Sequence, residues 1–207
     1  THDVTVREIL KQIKERGDAA LLEYTSRFDQ YDLSLEEMKV TQGEIDEARK
    51  KVDDKEIAAL RRAAENIREF HGRQVQESWE YKKNGVLLGQ SIRPLETAGI
   101  YVPGGKASYP SSVLMNAIPA KVAGVEKVVM CSPISNGQCS PHVLVAAEIA
   151  GVDSIFKVGG AQAIGAMAYG TNTIPRVDKI VGPGNIYVAL AKRMVFGLVD
   201  IDMIAGP

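Results

Sequence analysis

From residue 94 onward the chain alternates short apolar runs with helical patterns, and glycine follows most of those runs. Such a string folds compactly when each strand feeds a helix that returns to a neighbouring parallel strand, so that the crossovers cover both faces of one sheet. The runs at 99–102, 127–131, 154–158, 179–181 and 201–204 read as strands. The patterns at 112–123, 141–150, 161–169 and 186–198 read as the helices between them. Runs such as KVVMC and SIFKV are largely apolar, as strands buried on both faces require.

The first 93 residues have a different grammar. They carry 36 charged residues and 5 glycines, against 15 and 14 in the longer remainder. That pattern suits exposed amphipathic helices, expected at 4–16, 18–28, from Thr41 and from Asp53 or Asp54. Asp3 is the expected cap of the first helix. Thr41 with Glu44 forms a capping-box pattern on the third. Asn84-Gly85 lies between apolar runs and marks a two-residue β-hairpin turn. The whole therefore reads as α/β: a five-stranded parallel Rossmann-like sheet with flanking helices over 98–207, preceded by a helical segment and a β-hairpin over 1–97.

Composition removes several function classes. With 45% hydrophobic and 25% charged residues among 207, the chain can bury a core, which excludes a disordered tail or a disulfide-stapled mini-domain. The formal charge of −1 argues against nucleic-acid binding through a basic surface. No apolar run approaches the roughly 18–20 residues of a membrane span, and the charged amino-terminus is not a signal peptide. Cys131 and Cys139 read as free thiols of a reducing compartment, and a cytoplasmic location is the default expectation.

Ligands of open parallel sheets bind outside the carboxyl ends of the strands. Pro103-Gly104-Gly105, Gly159-Gly160-Ala161-Gln162, Gly182-Pro183-Gly184-Asn185 and Ala205-Gly206-Pro207 all fall at that edge. The first three lead into helices, whose free N–H groups favour an anion. A single such motif is as readily a tight turn as a site, but four at one edge point to a shared crevice. The dinucleotide fingerprint G-x-G-x-x-G is incomplete, because its third position is Tyr187. Polar side chains at the edge are few: Tyr101, Lys106, Ser108, Tyr109, Ser111, Ser132, Gln162 and Asn185. Asn185 is equally readable as a helix cap. Gln162 is a poor cap, which favours a functional role, and Tyr101 offers either packing or a stacking surface.

The remaining candidates carry little. Cys131 reads as a small buried hydrophobe and Cys139 as an exposed loop residue. His142 reads as solvent-exposed, and His71 suits the negative end of a long helix. Asp200 and Asp202 are expected at the edge away from the crevice. His2, His71 and His142 are too scattered for a zinc site or a Ser-His-Asp arrangement. Neither a catalytic nor a metal-ligating residue is assigned in this chain.

Several strings together resemble the histidinol dehydrogenase family: GIYVPGG at 99–105, YPSSVLMNAIPAKVAG at 109–124 and KVVMCSP at 127–133. They continue as VGGAQAIGAMAYGT at 158–171, VDKIVGPGN at 177–185 and IDMIAGP at 201–207, with GDAALLEYTSRFD at 17–29 in the first half. The resemblance implies an enzyme of histidine biosynthesis that oxidises L-histidinol to L-histidine through an aldehyde. Each of the two steps passes a hydride to NAD. It also implies a zinc-dependent homodimer, with no nucleic-acid or membrane partner. Carried over by motif, Tyr101, Gln162 and Asn185 are the residues that would contact NAD. In the family, AGP continues into a Ser-Glu pair and about as many residues again, which carry the zinc ligands, the substrate contacts and a Glu-His base. On that reading the chain is an amino-terminal, cofactor-binding half and is inactive alone. The competing readings are a non-catalytic nucleotide- or phosphate-binding module, and a scaffold half that pairs with a separate polypeptide.

Overall fold

A computed structural model of the chain describes residues 2–104 and 109–204. The charged first half forms α1 (His2–Arg16), α2 (Asp18–Asp29), α3 (Leu35–Met38), α4 (Gln42–Lys50) and α5 (Asp54–Gly72). Capping chemistry sets several of these boundaries. The Thr41 hydroxyl accepts the Glu44 N–H and the Glu44 carboxylate accepts the Thr41 N–H, and Asp53 and Glu56 repeat the exchange at the start of α5. Ser34 and Glu37 close a third box on α3, a four-residue helix that the apolar periodicity is too short to reveal. Asp3 is not a cap: α1 already includes it, and its charge lies in the first turn, where the helix dipole favours it.

The hairpin pairs β1 (Trp79–Lys83) with β2 (Val86–Gln90), antiparallel, with all ten residues exposed. Asn84 and Gly85 take φ of 51° and 80°, the left-handed pair that a two-residue turn between twisted strands needs.

The second half is the expected five-stranded parallel sheet. Its strands are β3 (Thr97–Tyr101), β4 (Lys127–Cys131), β5 (Ser154–Phe156), β6 (Lys179–Val181) and β7 (Asp200–Ile201). The connecting helices are α6 (Pro110–Val122), α7 (Pro141–Ala150), α8 (Gly160–Tyr169) and α9 (Ile186–Val195). The order across the sheet is β5-β4-β3-β6-β7, and every adjacent pair is parallel. The outer strands are shorter than the sequence suggests. In particular β7 ends at Ile201, not at 204, so Asp202 follows the strand rather than opening it.

The helical half is fastened to the sheet in two ways. Residues 38–40 run antiparallel beside β5: Val40 N–H donates to Ile155 C=O and Lys157 N–H to Met38 C=O, each at 2.9 Å. This covers an otherwise unpaired strand edge. On the other flank, the α1 stripe Val6, Ile9, Leu10 and Ile13 is buried against α8 and α9. Gly165 of α8 admits that close approach, since a Cβ there would lie 3.1 Å from Leu10 Cδ2. One buried hydrophobic cluster consequently runs from Val6 to Val199.

Ile13 is 1% exposed at this seam, so Ile13→Ala should destabilise the fold by about 2–5 kcal/mol. Urea unfolding with an unchanged slope is the check; an unaltered midpoint would mean that α1 does not dock on α8.

Candidate functional site

The crevice follows from the strand order. The chain leaves β3 for α6 on one side and leaves its neighbour β6 for α9 on the other. The carboxyl ends of β3 and β6 therefore flank the point where the winding reverses, the usual ligand position of such sheets. Tyr101 is the last residue of β3, and Asn185 follows β6 by four residues.

Gly182 joins the two strand ends. Its φ is 116°, and a Cβ there would lie 2.1 Å from the Tyr101 carbonyl oxygen, so no other residue fits without moving backbone. The peptide groups of Gly182 are also held. Its N–H donates to Asp202 Oδ2 at 2.9 Å, and its carbonyl accepts from Lys192 Nζ at 2.9 Å. Lys192, on α9 and 1% exposed, is ion-paired with Asp202. The expectation that Asp202 lies away from the crevice is thus corrected: with β7 only two residues long, Asp202 reaches the carboxyl edge and braces its central loop. Asp200 stays apart and pairs with Lys179 at 2.7 Å.

Tyr101, Gln162 and Asn185 all line one cavity of about 630 Å³, a volume typical of small-molecule and cofactor sites. Tyr101 is 3% exposed, and its phenol oxygen accepts the Gly160 N–H at 3.0 Å at the start of α8. Burial pushes the phenol up to about 12, with the Asp29 charge adding to the effect and the Gly160 N–H opposing it. The phenol is therefore neutral near pH 7 and keeps an O–H to donate. Gln162, in the first turn of α8, is 1% exposed, and its Oε1 has no hydrogen-bond partner among the described residues. Asn185 is a cap as well as a lining residue: its Oδ1 accepts from Tyr187 N–H and Val188 N–H at 3.1 and 3.2 Å. That leaves its NH₂ group for a ligand.

The opposite contribution comes from the helical half. Arg27, Phe28 and Asp29 at the end of α2, with Thr5 and Ile9 of α1, line the same cavity. Sequence reasoning missed them, because charged residues ending an amphipathic helix look like a solvated face. Asp29 has a buried Oδ2 without a partner among the described residues, and burial pushes its carboxyl up to about 6.

Other expectations fare differently. Tyr109, Ser111 and Ser132 are not among the residues lining this cavity. Gly105, Lys106, Ser108 and 205–207 lie outside the described residues. Cys131 is fully buried, as expected, and burial raises its thiol. Cys139 is not exposed: it is 6% accessible, and burial pushes its thiol up to about 12. The polar loop around it folds in near the ion pair of Lys157 with Glu44, whose 2.5 Å contact ties the residue that follows β5 to α4. His142 is only half-exposed and meets Glu56 at 3.2 Å. Among the described residues no three His, Cys, Asp or Glu side chains are grouped so as to hold a metal ion, so zinc has no fitting donor set here.

Comparison with known proteins places the same residues in a family context. The family model described as histidinol dehydrogenase matches residues 1–207. The histidinol dehydrogenases of Syntrophotalea carbinolica and Geobacter sulfurreducens are 63% and 59% identical over 204 residues, in each case 98% of this chain. The alignments cover 47% and 48% of those two proteins, so the chain spans about half the length of the curated relatives it matches. The crystal structure of histidinol dehydrogenase from Elizabethkingia anophelis superposes with a TM-score of 0.95 at 41% identity. It matches 100% of this chain and 48% of that one.

The packing of Gly182 against Tyr101 is testable by itself. Gly182→Ala should lower stability by about 1–3 kcal/mol through forced backbone displacement. Thermal or urea unfolding reads it, and wild-type stability would show that the two strand ends are not in contact.

Proposed function

The chain belongs to the histidinol dehydrogenase family, and from that premise we propose that it forms the NAD-binding part of an enzyme oxidising L-histidinol to L-histidine. The observation that carries this reading is the convergence of Tyr101, Gln162 and Asn185 on one cavity at the reversal of the sheet, with Gln162 Oε1 buried and unpartnered. A buried amide oxygen without a partner costs free energy, which a bound donor would recover. NAD offers carboxamide N–H and ribose O–H donors for it. When bound, NAD supplies the acceptor for the hydride removed at each of the two oxidations, alcohol to aldehyde and aldehyde to acid.

The roles of this chain's own residues are binding and orientation. Tyr101, neutral and buried, donates its O–H to a ligand oxygen. Gln162 accepts through Oε1 and Asn185 donates through its NH₂ group. Gly182 and the Lys192–Asp202 pair hold the strand ends that carry them. Removal of the hydroxyl proton needs a base within hydrogen-bond reach, and we assign that base, the zinc ligands and the substrate contacts to a segment with no counterpart here. The homodimer and the cytoplasmic location are part of the same proposal. Among the described residues no helix is long and apolar enough to cross a membrane.

In full-length enzyme carrying this segment, Gln162→Ala should raise the apparent KM for NAD a few-fold to about tenfold, the effect of one neutral hydrogen bond, and leave zinc content unchanged. Asn185→Ser keeps a capping oxygen and removes the NH₂ group, so it should act on NAD without a comparable loss of stability. Unaltered NAD kinetics in both variants would remove these residues from the site.

The isolated 207-residue chain should neither bind zinc stoichiometrically nor form NADH from histidinol. Turnover above background in a preparation free of full-length enzyme would place the reaction centre within these residues.

A further inference from the structure

We propose that Asp29 selects the nucleotide: its carboxylate accepts hydrogen bonds from the vicinal hydroxyls of a ribose bound in the cavity. This rests on the dinucleotide reading above and adds to it a residue from outside the parallel sheet. Three observations carry it.

The first is placement. α2 ends at Asp29, and Gln30 turns the chain away in a left-handed conformation with φ of 53°. That turn leaves Asp29 on the same cavity as Tyr101, Gln162 and Asn185. The second is an unmet demand for donors. Four buried side-chain oxygens lack a partner among the described residues, and two of them, Asp29 Oδ2 and Gln162 Oε1, belong to residues lining this cavity. The third is the absence of a competing cation. Asp29 is in none of the ion pairs among the described residues, and the nearby Arg27 lies over the Phe28 ring, 5.5 Å from its centroid.

A carboxylate in that condition is matched by neutral O–H donors, and a cis-diol supplies two at the spacing of its two oxygens. It equally disfavours a phosphate on the same ribose, because two anions would then share a poorly solvated site. Burial already pushes the carboxyl of the ligand-free protein up to about 6, as expected for a group whose partners arrive with the ligand.

The test measures NAD and NADP dissociation constants, histidinol KM and thermal midpoint in full-length wild-type, Asp29→Asn and Asp29→Ala enzyme. Asp29→Asn should weaken NAD binding about ten- to hundredfold, the range for hydrogen bonds to a charged acceptor. It should also leave the thermal midpoint of the ligand-free protein equal or higher, because an unpaired buried carboxylate is removed. A merely structural residue would lower the midpoint instead. The variants should also show a reduced preference for NAD over NADP, the sign of a contact to the adenosine ribose; equal weakening of both nucleotides would place the contact on the nicotinamide ribose and overturn the selection. Unchanged NAD affinity in both variants overturns the proposal, as does an effect confined to the histidinol KM, which would assign Asp29 to the substrate ammonium. Wild-type enzyme that binds no NAD would instead overturn the dinucleotide reading itself.

Discussion

The site depends on β3 being the central strand. It pairs with β4 on one side and β6 on the other, so the chain must leave the two adjacent strand ends in opposite directions. The crevice is the space left by that divergence. The strand ends meet so closely that the Tyr101 carbonyl occupies the place of a Gly182 side chain. Gly182 is in turn fastened through both peptide groups by Lys192 and Asp202. An ion pair with its ammonium buried and its carboxylate reaching solvent is a weak source of net stability, because desolvation of the lysine offsets much of the attraction. Its value here is positional: it fixes the loop that leads to Asn185.

The helical half completes this edge. α1 docks on α8 and α9, and α2 then brings Arg27–Asp29 to the cavity that Tyr101, Gln162 and Asn185 line. The apolar stripe of α1 and the small residues of α8, including Gly165, are therefore part of the binding geometry at one remove. They set how near the α2 end comes to the sheet. A cleft between a helical layer and a sheet edge is a common location for a ligand, since each side contributes groups that the other lacks.

What was legible in the sequence was local. Asn84-Gly85 named its turn, and Thr41-Glu44 and Asp53 named their helix starts, because the chemistry lies within four residues. The parallel sheet was legible from the alternation of runs, and the motif strings led to Tyr101, Gln162 and Asn185. Ser34-Glu37 carried the same capping signal as Thr41-Glu44, but a four-residue helix shows no periodicity to draw attention to it. Cys139, Asp202 and Asp29 were misplaced or missed for a shared reason. Each is polar or sits in polar sequence: Cys139 and Asp29 are enclosed together with residues distant in the chain, such as Glu44 near Cys139 and Gln162 beside Asp29, and Asp202 was misplaced because β7 is two residues shorter than its apolar run.

The chemistry of the cavity also separates two ligand classes. A site for phosphate alone would present backbone N–H groups and cations, with no acceptor left unsatisfied. Among the described residues this cavity presents, beside the Arg27 side chain, a neutral phenol, an amide oxygen without a partner and a carboxylate outside any ion pair. The two acceptors are unfavourable toward a bare anion and favourable toward a molecule that brings its own O–H and N–H donors. The start of α8, which carries no side-chain cap, remains available for a charged linkage within the same molecule, whereas Asn185 already caps α9. An anion-binding helix start beside unpaired acceptors suits a dinucleotide, whose pyrophosphate and ribose or carboxamide groups meet both demands, and counts against a simple phosphate-binding module.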